Sequence, residues 1–129
     1  MAPSLNNLAE LYQAQGKYAE AETLYGELLA KAPNDQDAEI WKVHLGTALY
    51  LQKKYRETVA ALEPVIDQIK TPELLAEAQY RIGRSQAALK QFDAAAKSLE
   101  ASLAAAPRWK LADDAHLVLA YAYQQTGDL

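Results

Sequence analysis

Large apolar residues recur along the chain at a fixed distance. Leu8, Leu45, Ile82 and Leu119 stand 37 residues apart, and each is followed at once by a small residue: Ala9, Gly46, Gly83 and Ala120. Four places after the first column come Tyr12, Leu49, Gln86 and Tyr123. The i, i+4 spacing puts these residues on one face of a helix, and the small neighbour lets a second helix approach that face closely. A breaker or solvated position follows, Gly16, Lys53, Lys90 and Gly127, and after it a large apolar residue, Tyr18, Tyr55, Phe92 and Leu129. Gly16 and Gly127 supply the positive φ that a tight helix end prefers. Helical spacing then resumes with Ala21, Thr58 and Ala95 and with Tyr25, Leu62 and Leu99, while Pro33 and Pro107 close the second helix in two copies. Each unit is therefore predicted to be a pair of antiparallel helices. A single pair cannot bury both of its faces, so the pairs must stack.

These columns resemble the tetratricopeptide repeat: Leu-Ala/Gly, then Tyr, a turn, Tyr/Phe, Ala, Tyr/Leu and a closing Pro. The resemblance covers essentially the whole chain. It implies an all-α fold, a right-handed α-solenoid of antiparallel helix pairs. The expected organisation is a single domain over 1–129, with copies at about 2–38, 39–75 and 76–112 and a half repeat at 113–129. The chain is expected to be a piece of a longer one. Two features depart from the family pattern. The period exceeds the usual ~34 residues, and the surplus between Pro33 and Leu45 and between Pro107 and Leu119 is expected to lengthen each later first helix by about a turn. The stretches concerned are "DQDAEIWK", "PELLAEAQ" and "KLADDAHL". Pro64 falls inside the second helix of the second copy, where it is expected to kink that helix at up to ~3 kcal/mol.

Composition narrows the partners. Half of the 129 residues are apolar, enough for a buried core without metals or cross-links. The 13 basic and 17 acidic residues give a net charge of -4, which disfavours nucleic acid or an anionic membrane surface as partner. The absence of cysteine removes disulfides and thiolate sites, leaving cytoplasm and periplasm both open. The stretch "MAPSLNNLAELY" lacks the basic flank and apolar run of a signal peptide, and no stretch approaches the ~20 apolar residues of a spanning helix. A soluble protein without membrane insertion is expected.

Catalytic and metal chemistry find little support. His44 and His116 occupy different repeat positions, and His116 is expected to fill a packing column with Leu5, Lys42 and Gln79. Asp35, Asp37 and Glu39 resemble half a calcium loop, yet Ile40 stands where its glycine belongs and Gly46 where its last acid belongs. They read better as acids at a helix start, favoured by the helix dipole. Thr71-Pro72-Glu73 reads as a cap followed by proline at the first helical place. Asp113 and Asp114 diverge by about 100° around a helix, so they cannot share a proton and are expected to solvate a helix start. No catalytic residue, metal site or cofactor is expected.

In a stacked array of this kind, the first helices line the concave wall. The resemblance assigns that wall to Asn6, Val43, Tyr80 and Leu117; to Glu10, Thr47, Arg84 and Tyr121; and to Gln13, Tyr50, Ala87 and Gln124. Within each copy these lie at i, i+4 and i+7, on one face. The wall begins polar and becomes aromatic around Arg84, the composition of a protein-binding surface. Some members of the family clamp a terminal carboxylate with lysines, asparagines and an arginine. Here only Arg84 matches, with Asn6, Glu10 and Tyr80 at the other places, so an extended or helical segment with apolar anchors suits the groove better. The expected function is non-catalytic binding of a protein or peptide. The alternatives are a scaffold that self-associates through its repeat ends, using Leu119, Ala120 and Tyr123, and an engineered or hybrid repeat array.

Overall fold

A computed structural model describes residues 5–127, and within them every regular element is helical. Seven α-helices follow one another: α1 (Leu5–Ala14), α2 (Tyr18–Lys31), α3 (Ala38–Leu51), α4 (Tyr55–Leu62), α5 (Pro72–Ala88), α6 (Phe92–Ala105) and α7 (Ala112–Thr126). Each packs on its sequence neighbours, and α3 also touches α5, as α5 touches α7. The core is accordingly a succession of clusters. Ala9, Ala21, Tyr25 and Trp41 form the first, Val43, Leu62, Ala78 and Ile82 the second, and Tyr80, Leu99 and Ala115 the third. This is an α-solenoid of helix pairs. Leu129, the last member of its column, and the opening residues of the first copy lie outside the described residues.

The turn inside each pair is built the same way three times. Gly16, Lys53 and Lys90 have φ of 79°, 64° and 64°. Their N–H groups donate to Gln13, Tyr50 and Ala87 carbonyls, and the next N–H of each turn reaches back five residues to Tyr12, Leu49 and Gln86 at 2.8, 3.0 and 2.8 Å. That pair of bonds is the Schellman motif, which satisfies the last carbonyls of a helix through one left-handed residue. Gly127 ends α7 with φ 82°. Two of these four left-handed positions are filled by lysine, against the steric preference of an L-residue.

Small residues set the distance within a pair. A Cβ placed on Gly46 would lie 2.5 Å from the Leu62 side chain, and one on Gly83 2.7 Å from Cγ of Leu99. Both leucines are wholly buried, so neither can swing aside. Ser102 seals the α5–α6 contact by donating from Oγ to the Ala76 carbonyl at 2.7 Å.

One sequence expectation needs extending and another correcting. The later first helices have 14, 17 and 15 residues against the 10 of α1, but the surplus residues also form matching connections, Ala32–Asp37 and Ala106–Leu111. In each, two successive turns close through Asp35 N–H to Ala32 O and Ala38 N–H to Asp35 O, or Trp109 N–H to Ala106 O and Ala112 N–H to Trp109 O. Pro33 and Pro107 cause this by driving the residue before them out of the helical region: Ala32 has φ −141° and Ala106 φ −151°. Pro64 does not merely kink its helix. The α-helix stops at Leu62 and the chain tightens into a 3₁₀ segment, Glu63–Gln68, with Pro64 in its first turn. There the missing N–H removes no bond the helix start would have made.

The acids near Asp35 serve local structure. Asp35 accepts the Asp37 N–H through Oδ1 at 2.8 Å. Oε1 of Glu39 accepts the N–H groups of Lys70 and Thr71, both at 2.9 Å, capping the start of α5 from the preceding pair. Those backbone donors, Thr71 first, hold the Glu39 carboxyl below its usual range.

Candidate functional site

The residues expected on the inner wall separate into three groups. Val43, Thr47 and Tyr80 are interior: their exposures are 0%, 4% and 4%. Spacing along one helix cannot show what the adjacent helix covers, and α5 lies over this side of α3. Val43 packs with Ala78 and Ile82, Thr47 donates from Oγ1 to Oε2 of Glu77 at 2.7 Å, and Tyr80 sits with Leu99 and Ala115.

At the N-terminal end, Asn6 is half-buried and accepts the Trp41 indole N–H through Oδ1 at 3.1 Å. Glu10 and Gln13 border a shallow hollow of 260 Å³ with Tyr25 and His44. The Tyr25 hydroxyl and His44 Nδ1 are 3.4 Å apart, with the rings edge to face. Burial above all, with Glu10 and Glu77 adding to it, pushes the Tyr25 phenol up to about 12.

The third group surrounds Arg84. Its Nε donates to the Tyr50 hydroxyl at 3.0 Å and its NH1 to Oδ2 of Asp114 at 2.7 Å. The Tyr80 hydroxyl donates to the same Asp114 oxygen. Arg81 lies between two rings, 5.1 Å from the centroid of Tyr50 and 5.1 Å from that of Tyr80. Burial, and then the Asp114 hydrogen bond, push the Tyr80 phenol well above its ordinary range. Burial opposes the Arg84 charge, but Tyr50, Tyr80 and Asp114 outweigh it and the net shift is upward. Asp113 is exposed as expected, whereas Asp114 ties α7 to α5. Its place three residues before Leu117 and seven before Tyr121 is the signal that could have revealed it.

Beside this network lies a cavity of 540 Å³. Its floor is Ala87 and Ala88, at the end of α5. One wall is the ring pair Tyr50–Tyr55, 5.8 Å between centroids, and the other is Phe92–Tyr121, 5.7 Å and edge to face. Leu117, 70% exposed, and Lys90 stand at its border. Of the expected wall residues, the fold brings together Tyr50, Arg84, Ala87, Leu117 and Tyr121, while Gln124 is exposed outside the cavity lining. Tyr55, Phe92 and Lys90 were not expected there, because their columns read as turn and packing positions.

α7 differs from the earlier first helices. Ala9, Gly46 and Gly83 are covered by the second helix of their own pair, whereas Ala120 is exposed. Its neighbours are only half so: Leu119 packs against α6, and the Tyr123 hydroxyl donates to Glu100. His116, expected in a packing column, is exposed. No helix among the described residues is long and apolar enough to cross a membrane.

A family model described as "Anaphase-promoting complex, cyclosome, subunit 3" matches residues 14–102, and one described as "Tetratricopeptide repeat" matches residues 80–129. No curated protein matches the chain.

Proposed function

The chain belongs to the tetratricopeptide-repeat family, whose arrays are in general non-catalytic protein–protein interaction modules, and from this premise we propose that it binds a protein or peptide segment on its concave side. The segment lies along α3, α5 and α7 and buries an apolar side chain beside Tyr50, Leu117 and Tyr121. The observation that carries this reading is the exposure of Leu117, 70%, and Tyr121, 49%, at the border of an aromatic cavity. Arg84 acts chiefly by holding the wall together, because its guanidinium is already engaged by Tyr50 and Asp114. The description of one matching model as a subunit of a complex supports a binding role.

We further propose that 1–129 forms one repeat array of three helix pairs followed by the first helix of a fourth. A photo-crosslinking residue at Tyr121 tests the binding reading against the same residue at Ala60, on α4. Covalent capture of a partner from position 121, suppressed by Leu117→Glu, is expected. Equal capture from both positions contradicts the reading.

The exposure of Ala120 favours a second reading, in which α7 is covered by a second copy through Leu119, Ala120 and Tyr123. Light scattering over a dilution series distinguishes it: a monomer at every concentration excludes it.

A further inference from the structure

We infer that the cavity between the two ring pairs takes a short peptide segment bearing a large apolar side chain and, within one or two residues of it, a carboxylate that meets Lys90. The inference rests on the groove reading above and adds the chemistry of the occupant.

Size and walls define the apolar part. A volume of 540 Å³ lies within the range of about 300–1,000 Å³ typical of sites that enclose a ligand group. Alanines and ring pairs supply most of the lining, so a side chain entering from solvent meets mainly apolar surface, with Arg84 and Lys90 the charged exceptions.

Charge defines the rest. The chain carries a net charge of -4, yet the residues lining this cavity include Arg84 and Lys90 and no acid. Asp114 neutralises Arg84 at 2.7 Å. Lys90 takes part in neither of the ion pairs among the described residues, so the uncompensated charge at the cavity is positive and belongs to Lys90. A partner complementary to this border is anionic there.

The turn backbone does not require a lysine at this place. Lys90 has φ 64°, as has Lys53 in the same column, where Gly16 has φ 79° and Gly127 φ 82°. A glycine would close this turn without steric strain, since the Schellman bonds come from the backbone alone. Lys53 shares that strain away from the cavity, so what sets Lys90 apart is its place in the cavity lining.

The test is selection of random dodecapeptides displayed on phage with the whole chain as bait. The enriched peptides are expected to share a large apolar residue with Asp or Glu one or two places away. For one such synthetic peptide, Lys90→Glu should weaken binding about tenfold, and replacing the peptide acid by its amide should do the same. A peptide with lysine in place of the acid should regain affinity for the Lys90→Glu bait. Lys90→Gly should raise the melting temperature while lowering affinity, two movements that a purely structural lysine would not combine. Enriched peptides without an acid, or binding indifferent to Lys90→Glu yet abolished by Leu117→Asn with Tyr121→Glu, overturn this inference and leave the groove reading standing. Binding indifferent to both sets of substitutions overturns both, and no enrichment over a bait-free control overturns the inference.

Discussion

The first helix pair and the α5–α7 region are built on the same columns and present opposite surfaces. In both, a small residue, Ala9 or Gly83, is covered by a large buried one from the next helix, and a left-handed residue, Gly16 or Lys90, closes the turn. Outward from that shared frame, α1 offers Asn6, Glu10 and Gln13, whereas α5 and α7 offer Arg84, Leu117 and Tyr121 around an aromatic cavity. The frame is therefore indifferent to what the flanking columns carry. Substitutions in the frame should change stability, and substitutions in the flanks should change binding.

The largest effect should come from filling the frame. Gly46→Ala forces a methyl to within 2.5 Å of wholly buried Leu62, and overpacking of this kind is expected to lower stability by about 1–3 kcal/mol in urea unfolding. Ala120→Val occupies the same column on α7, where the position is exposed, and should change stability by less than about 0.5 kcal/mol. Equal losses would break the comparison.

Removing the tie between α5 and α7 should come next. Asp114→Asn retains shape but replaces the carboxylate that pairs with Arg84, and a half-exposed pair of this kind is worth about 1 kcal/mol or less. The loss should shrink in high salt, as screening predicts. At the turns, Lys53→Gly should raise stability by about 0.5 kcal/mol, relief of the left-handed lysine slightly exceeding glycine's entropy loss.

The smallest effect is confined to acid. The Glu39 carboxyl titrates lower in the folded state than in the unfolded chain. Its contribution is therefore present above the unfolded carboxylate range, near pH 4, and is lost as pH falls through the lower folded value. Glu39→Gln should flatten the acid limb of a stability–pH curve and leave the alkaline limb unchanged. At the other extreme, Tyr25 is raised to about 12, so its contribution holds below pH 10 and declines above it, and Tyr25→Phe should remove that decline.

The repeat frame was legible because it is periodic: four copies of Leu-Ala/Gly and its turn position expose the two-helix unit directly. What one copy does alone was harder to read. Pro64 ends an α-helix and opens a 3₁₀ turn because the chain has a second way to satisfy its backbone there, which helical spacing does not reveal. The site was legible in part. Leu117 and Tyr121 stand where i, i+4 spacing on α7 puts them, but Val43 and Thr47 vanish beneath α5 and Tyr80, on α5, beneath α6 and α7, and contact between helices is not written in the spacing within one. Tyr55, Phe92 and Lys90 belong to turn columns that look purely structural until two pairs are set side by side.

The most direct test of the division between frame and flank is to copy the first pair's surface onto α7, with Leu117→Asn and Tyr121→Glu reproducing Asn6 and Glu10. Melting temperature and affinity for an enriched peptide are then measured on the same variant. The expected result is a melting temperature lowered by no more than a few degrees, from loss of the Phe92–Tyr121 ring contact worth about 1 kcal/mol, together with loss of binding. A fall in melting temperature comparable to that of Gly46→Ala, or binding that survives, would contradict it.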